Sequence, residues 1–200
     1  MLYQDYTHME NSLTFSNYID SVYRISEAAK TELEKVCSTL TFKKNELIQP
    51  IGHTCKTIYF LQKGIARIFY YKDGVDITEY FAFEGGIVAR AESLFAGEPS
   101  QKAIEALEDC EVVAIDVPKL YQLYDEFHEI ERLFRLIFER AHVETIHRIE
   151  SLQFHSAEER YLNLLETQKN IIQRVPLKHI ASYLGITQVS LSRIRAKVGS

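Results

Sequence analysis

Two hundred residues, 46% of them hydrophobic and 26% charged, suffice for a folded chain with a core of its own and exclude a disordered tail. No run approaches the roughly 18 consecutive apolar residues of a membrane span, so no membrane partner is expected. The net charge is −5, but no acidic residue follows Glu166, while Lys169, Arg174, Lys178, Arg193, Arg195 and Lys197 do; residues 167–200 carry +6 and the remainder −11. A cationic end on an acidic body points to a polyanionic partner for that end. Cys37, Cys55 and Cys110 lie far apart without a CxxC pair, and no charged-then-apolar leader opens at Met1, so a cytoplasmic protein is expected.

In chain order, Met1 to Lys35 mixes polar and apolar residues at helical spacing, with Ser26 placed to cap the second of two short helices. From about Leu40 the texture changes to short Ile-, Tyr-, Phe- and Val-rich runs broken by glycine turns at Lys63-Gly64, Lys72-Asp73-Gly74, Glu84-Gly85-Gly86 and Ala96-Gly97-Glu98-Pro99. Thr57–Leu61 and Ile65–Tyr71 flank a glycine turn, Asp73-Gly74 begins a hairpin to Val75–Phe83, and strands follow near Lys102–Ala106 and Val112–Asp116. Seven or eight strands are expected, enough for a closed roll with few free edges.

Helical periodicity runs from Pro118 to about Phe154 with no internal glycine or second proline. Its stripe includes Ile130, Leu133, Ile146 and Leu152, and the dimerisation candidates Phe134, Ile137, Phe138, Ala141 and Ile149, flanked by charged residues. Such a stripe lies across its own β-domain or pairs with its copy; the charged flanks favour a homodimer. Ser156-Ala157-Glu158-Glu159 reads as a capping box opening a new helix, placing a boundary near His155. The expected division is 1–125, 126–154 and 155–200.

The sharpest motif runs from Leu177 to Ala196. Two short helices meet at Gly185; Ala181 is small enough for close approach, and Ile180, Leu184, Ile186, Leu191 and Ile194 can join the pair. Thr187 caps the second helix. Gln188, Val189, Ser190, Ser192, Arg193 and Lys197 are left outward, free to meet base edges and phosphates in a major groove. An ordinary helical hairpin gives no reason for the absence of acids.

With this motif, the strands around Tyr59–Tyr71 with Gly64, and the order of roll, long helix and helix-turn-helix, the chain resembles the Crp/Fnr superfamily of bacterial transcription regulators over nearly its whole length. The resemblance implies an α+β chain: an N-terminal jelly-roll of the cyclic-nucleotide-binding type (a double-stranded β-helix), a long dimerisation helix and a C-terminal helix-turn-helix. Little or no wing is expected, since the chain stops at Ser200. It also implies double-stranded DNA as partner, RNA polymerase as a further one, bases read by Gln188, Val189 and Arg193, and phosphates held by Lys178, Thr187, Arg195 and Lys197. A small-molecule effector is implied near Arg90, Glu92, Ser93, Ser100, Gln101 and Lys102. Two departures stand out. No arginine follows Pro99, so a cyclic nucleotide is not expected to bind by the family's usual route, and Arg90 or Lys102 would have to substitute. Val189 stands where many relatives carry an acid, shifting the expected preference from cytosine toward a thymine methyl.

Neither cofactor nor metal is expected: three scattered cysteines do not make a four-thiolate cluster, and His53, His128, His142 and His147 read as surface or packing residues rather than haem ligands. A cupin-type metalloenzyme is the remote alternative, but only His53 lies between Leu40 and Asp116, so no catalysis is expected. A closer alternative keeps the architecture with a degenerate, ligand-free roll serving as a scaffold.

Overall fold

Thr14 and Ser26 open α1 (Phe15–Val22) and α2 (Glu27–Lys35), each hydroxyl accepting from a backbone N–H three residues on. The structure, a computed structural model, describes residues 14–198; the part of the N-terminal reading that falls on residues 1–13 lies outside them.

Among the described residues eight antiparallel strands form two four-stranded sheets. One runs β1 (Cys37–Phe42), β8 (Cys110–Asp116), β3 (Thr57–Lys63), β6 (Ile87–Val88); the other runs β2 (Leu47–Gln49), β7 (Ala103–Ala106), β4 (Ala66–Lys72), β5 (Val75–Ala82). β4 and β5 form the expected hairpin, Lys72 opposite Val75, and both turn residues take positive φ, 52° at Asp73 and 76° at Gly74. That twist matches the right-handed twist of the strands. The turn at Gly64 does something different: it carries the chain from one sheet into the other, with φ +90° and β8 packed directly against it. Tyr59, Leu61, Ile68, Ile104, Val112 and Ala114 fill the space between the sheets.

Asp116 caps α4 (Val117–Glu126), with Pro118 in its first turn where a missing N–H costs nothing. The single long helix expected from Pro118 onward is interrupted at Phe127 (φ −128°, ψ 84°), and α5 (His128–Phe154) starts afresh. The break lets the first turns of α5 fold back over α4, α1 and α2. Ile130, Leu133, Phe134 and Ile137 are consequently buried with Phe15, Ile19, Leu33, Phe60 and Ile115. This corrects the reading of Phe134 and Ile137 as dimerisation residues: both belong to the core of their own chain.

α6 (Ala157–Thr167) opens with the complete capping box of Ser156 and Glu159. The short α7 (Ile171–Arg174), α8 (Leu177–Tyr183) and α9 (Gln188–Val198) follow. Among the described residues no strand follows β8, so no wing is present there. These helices do not hang from a free linker. Tyr161, Leu164, Ile171, Ile180, Leu184 and Leu191 share one cluster with Ile65, Phe81 and Leu107 of the roll.

Candidate functional site

α8 ends because Gly185 takes a left-handed conformation, φ +70°, which an L side chain resists. The Ile186 N–H donates to Ala181 O and the Gly185 N–H to Ser182 O, both at 3.0 Å, so the last carbonyls are satisfied while the chain reverses. Thr187 then caps α9, its Oγ1 accepting from Ser190 N at 3.1 Å. Ala181 and Leu191 are buried where the helices touch. Thr187, Gln188, Val189, Ser192, Arg193 and Lys197 are exposed, as is Lys178 on α8; Ser190 and Arg195 are half-buried. The basic surplus does not all face outward. Arg174 is clamped by Glu84 and Glu108, and Lys197 lies 2.7 Å from Glu158. Lys178, Arg193 and Arg195 make no ion pair among the described residues.

α8 covers the edge of β5. The Thr78 N–H donates to Ser182 Oγ at 2.8 Å, and Ser182 Oγ donates to Asp76 O at 3.3 Å, satisfying backbone groups that an open edge would leave unpaired. Beneath them Arg67, buried in β4, donates to Asp76 at 2.5 and 2.7 Å, to Glu105 at 2.6 Å and to Thr78 at 3.0 Å. The Arg148 guanidinium stacks 3.9 Å over the Tyr183 ring and donates to Tyr183 O; Tyr183 in turn packs on Phe81. The orientation of the helix pair is therefore set by the roll and by α5 together.

His179 on α8 is buried against this cluster, and burial, with Arg67 beside it, pushes its pKa down to about 4. In the unfolded chain it titrates near 6.5. The folded state thus binds fewer protons between those values, and stability is lost as pH falls through them. We expect the unfolding free energy to fall by on the order of 1–3 kcal/mol between pH 6.5 and 4.5, and the melting midpoint to fall with it. His179→Asn should flatten that drop in calorimetry at matched pH. An unchanged slope in the variant assigns the acid sensitivity to carboxylates instead.

The second cluster of interest lies between β5, α3 (Ala91–Ala96) and β7. Arg90 is only 2% exposed, its Nε donating to Ser100 Oγ at 3.3 Å. Its Nη1 lies 3.6 Å from Glu79 and its Nη2 2.8 Å from Glu92; that second N–H pair points off-line, making the contact ionic rather than a hydrogen bond. Lys102 reaches the same two acids, Glu79 at 2.5 Å and Glu92 at 3.3 Å. Arg90, Glu92, Ser100 and Lys102 are thus brought together. Ser93 and Gln101 are not part of the group: Ser93 Oγ accepts from Cys55 N and donates to Glu98 O, holding the loop, while Gln101 faces solvent. Glu79 escaped the sequence reading. Its signal was a carboxylate directly before the apolar run Tyr80-Phe81-Ala82, opposite in alternation to buried Thr78. Partial burial pushes the Glu92 carboxyl up, but Arg90 and Lys102 hold it below its ordinary value. Two cations facing two carboxylates leave no surplus charge for a cyclic phosphate, so these residues do not fit that group.

Of the remaining dimerisation candidates, Phe138 packs edge-on against Phe95 of α3, and Ala141 and Ile149 are exposed along the distal half of α5, with Val143 and Ile146 beside them. Among the described residues no helix is long and apolar enough to cross a membrane, and no group of three or more His, Cys, Asp or Glu is placed to hold a metal ion.

Residues 39–127 match the cyclic nucleotide-binding domain family model. FixK2 from Bradyrhizobium japonicum is similar in structure, with TM-score 0.67 at 20% identity over 82% of this chain and 85% of that one. A protein from Eubacterium rectale described as a transcriptional regulator of the crp/fnr family superposes with TM-score 0.69 at 18% identity, over 90% and 87%. The regulator CLP of Xanthomonas campestris, described as responsive to c-di-GMP, gives TM-score 0.68 at 14% identity, over 87% and 92%. No curated protein matches the chain in sequence. Residues 39–127 therefore match a cyclic nucleotide-binding domain, and over most of its length the chain shares its α+β fold with those solved structures.

Proposed function

We propose that the chain is a cytoplasmic, DNA-binding transcription regulator of Crp/Fnr type that acts as a homodimer on an inverted-repeat operator. The observation that carries this reading is the outer side of α9: acid-free, exposed, and packed on α8, which is itself docked to the roll. Functionally the chain divides into a roll with its N-terminal helices (1–125), a pairing helix (126–154) and a reading head (155–200). The exposed apolar residues Ala141, Val143, Ile146 and Ile149, together with Phe138, pair α5 with its copy, and the two α9 helices then stand about one helical turn of DNA apart, ~34 Å. Lys178, Thr187, Arg195 and Lys197 hold phosphates, the last after exchanging Glu158 for DNA. Gln188, Val189, Ser190, Ser192 and Arg193 face the bases. RNA polymerase is the partner such a regulator addresses.

Two readings of the roll are at hand: an effector site around Arg90, Glu92, Ser100 and Lys102, or a scaffold that holds the helix pair without a ligand. The ion pairs that already join those residues favour the scaffold.

The test is a pair of affinities. On a site selected from a random duplex pool, Arg193→Ala should cost about 1–3 kcal/mol, and on random DNA little, as read by fluorescence anisotropy. Equal losses on both would show that Arg193 meets a phosphate rather than a base.

A further inference from the structure

We infer that Glu79 and Glu92 are resident anions which occupy, electrostatically, the place of a ligand's phosphate, so that this cassette is closed by the chain itself and takes no cyclic nucleotide. The inference rests on reading residues 39–127 as a cyclic nucleotide-binding-type domain, and it is independent of DNA binding. Four side chains, from β5, from α3 and its N-cap, and from the residue before β7, form a circuit of ion pairs: Arg90 to Glu79 and Glu92, Lys102 to the same pair. Every cation in it is shared by two carboxylates, and Arg90 is held from behind by Ser100, whose Oγ is also engaged with both the N–H and the carbonyl of Lys102. An entering phosphate has to displace a carboxylate from a buried guanidinium, and the displaced carboxylate then faces the phosphate at close range. Like charges at that distance repel, so exchange is uphill unless the ligand neutralises the acids as well.

The circuit has a mechanical consequence. Glu79 follows Thr78, whose backbone N–H is held by Ser182 of α8, and Asp76 two residues earlier anchors Arg67. β5 is therefore pinned on its inner side by the circuit and on its edge by the helix pair. In ligand-dependent logic the phosphate would supply the inner pin; here Glu79 supplies it permanently.

Thermal unfolding of the full chain decides the matter. With cyclic AMP, cyclic GMP or inorganic phosphate at about 10 mM, against chloride at equal ionic strength, the wild-type midpoint should not move. The Glu79→Gln/Glu92→Gln variant, which frees both cations, should melt lower and should gain a phosphate-dependent rise of roughly 5 °C. Glu92→Gln alone, at a half-exposed position that tolerates the change, should show the same gain in smaller measure should the double variant not fold. A rise in the wild-type midpoint with either nucleotide overturns the inference. So does a phosphate response no larger in the variants than in the wild type, because the carboxylates would then not be what keeps the anion out.

Discussion

Phe134→Ala should destabilise the chain by about 3–5 kcal/mol while leaving subunit association intact. The ring is 1% exposed and sits among Ile130, Leu133, Phe60 and Leu120, with Tyr124 at 6.3 Å between centroids. Truncation removes the transfer free energy of the ring and leaves a cavity between α5, α4 and the first sheet that rigid neighbours fill only in part. The contrasting substitution is Ile149→Glu on the same helix, four turns on. That side chain is 49% exposed, so a carboxylate there costs the protomer little and places two like charges across the proposed two-fold contact. Calorimetry and sedimentation velocity separate the two: Phe134→Ala melts early as a dimer, Ile149→Glu keeps its protomer core and sediments as a monomer. The reverse pattern would return Phe134 to the subunit interface and remove the basis for assigning the proximal turns of α5 to the core.

Gly64→Ala is the second large effect. With φ at +90° any L side chain is strained, and a Cβ built there lies 2.7 Å from Cys110 Sγ and 2.8 Å from the carbonyl oxygen of Asp109. The second contact is to backbone, so relief requires β3 and β8 to separate at the central pairing of the first sheet. The Gly64 N–H also donates to Glu84, which with Glu108 grips Arg174 of the helix-turn-helix region. A shift at the corner is therefore transmitted to the clamp. A loss of about 3 kcal/mol or more is expected, read as a lowered denaturant midpoint, and with it a rise in the rate at which proteases cut between residues 155 and 176. Wild-type stability in this variant would mean that the corner is softer than its packing implies.

Much of the architecture was legible because local chemistry decides it. Asp73-Gly74 admits the two positive φ values of its turn, Ser156 and Glu159 satisfy each other's backbone partners, and Gly185 ends α8 where no other residue does so cheaply. The interruption at Phe127 was not legible, since no glycine or proline marks it; the ring's packing into the core dictates that conformation, and packing is not a local property. The stripe on α5 shows that something is buried but not against what, so its proximal half was assigned to a partner when the chain's own α1, α2 and α4 cover it. Charge counting failed in a similar way. It registered Arg174 as part of a cationic end without registering that Glu84 and Glu108, some 90 and 66 residues away, take it. Glu79 was missed for the same reason: its partners Arg90 and Lys102 come together only once β5, α3 and β7 are folded.

The α8–α9 pair was read residue by residue: its cap at Thr187 and its turn at Gly185 lie where the spacing put them, and Gln188, Val189, Ser192, Arg193 and Lys197 are exposed, whereas Ser190 is half-buried against the cap. That surface is proposed to read duplex DNA as one half of a symmetric pair. Its most direct test is an anisotropy titration of a labelled inverted-repeat duplex, chosen from a random pool, with the full chain. Saturation at two protomers per duplex, with affinity falling steeply as salt rises, is the predicted result. Failure to bind any duplex even in dilute buffer, or saturation by a single protomer, would contradict it.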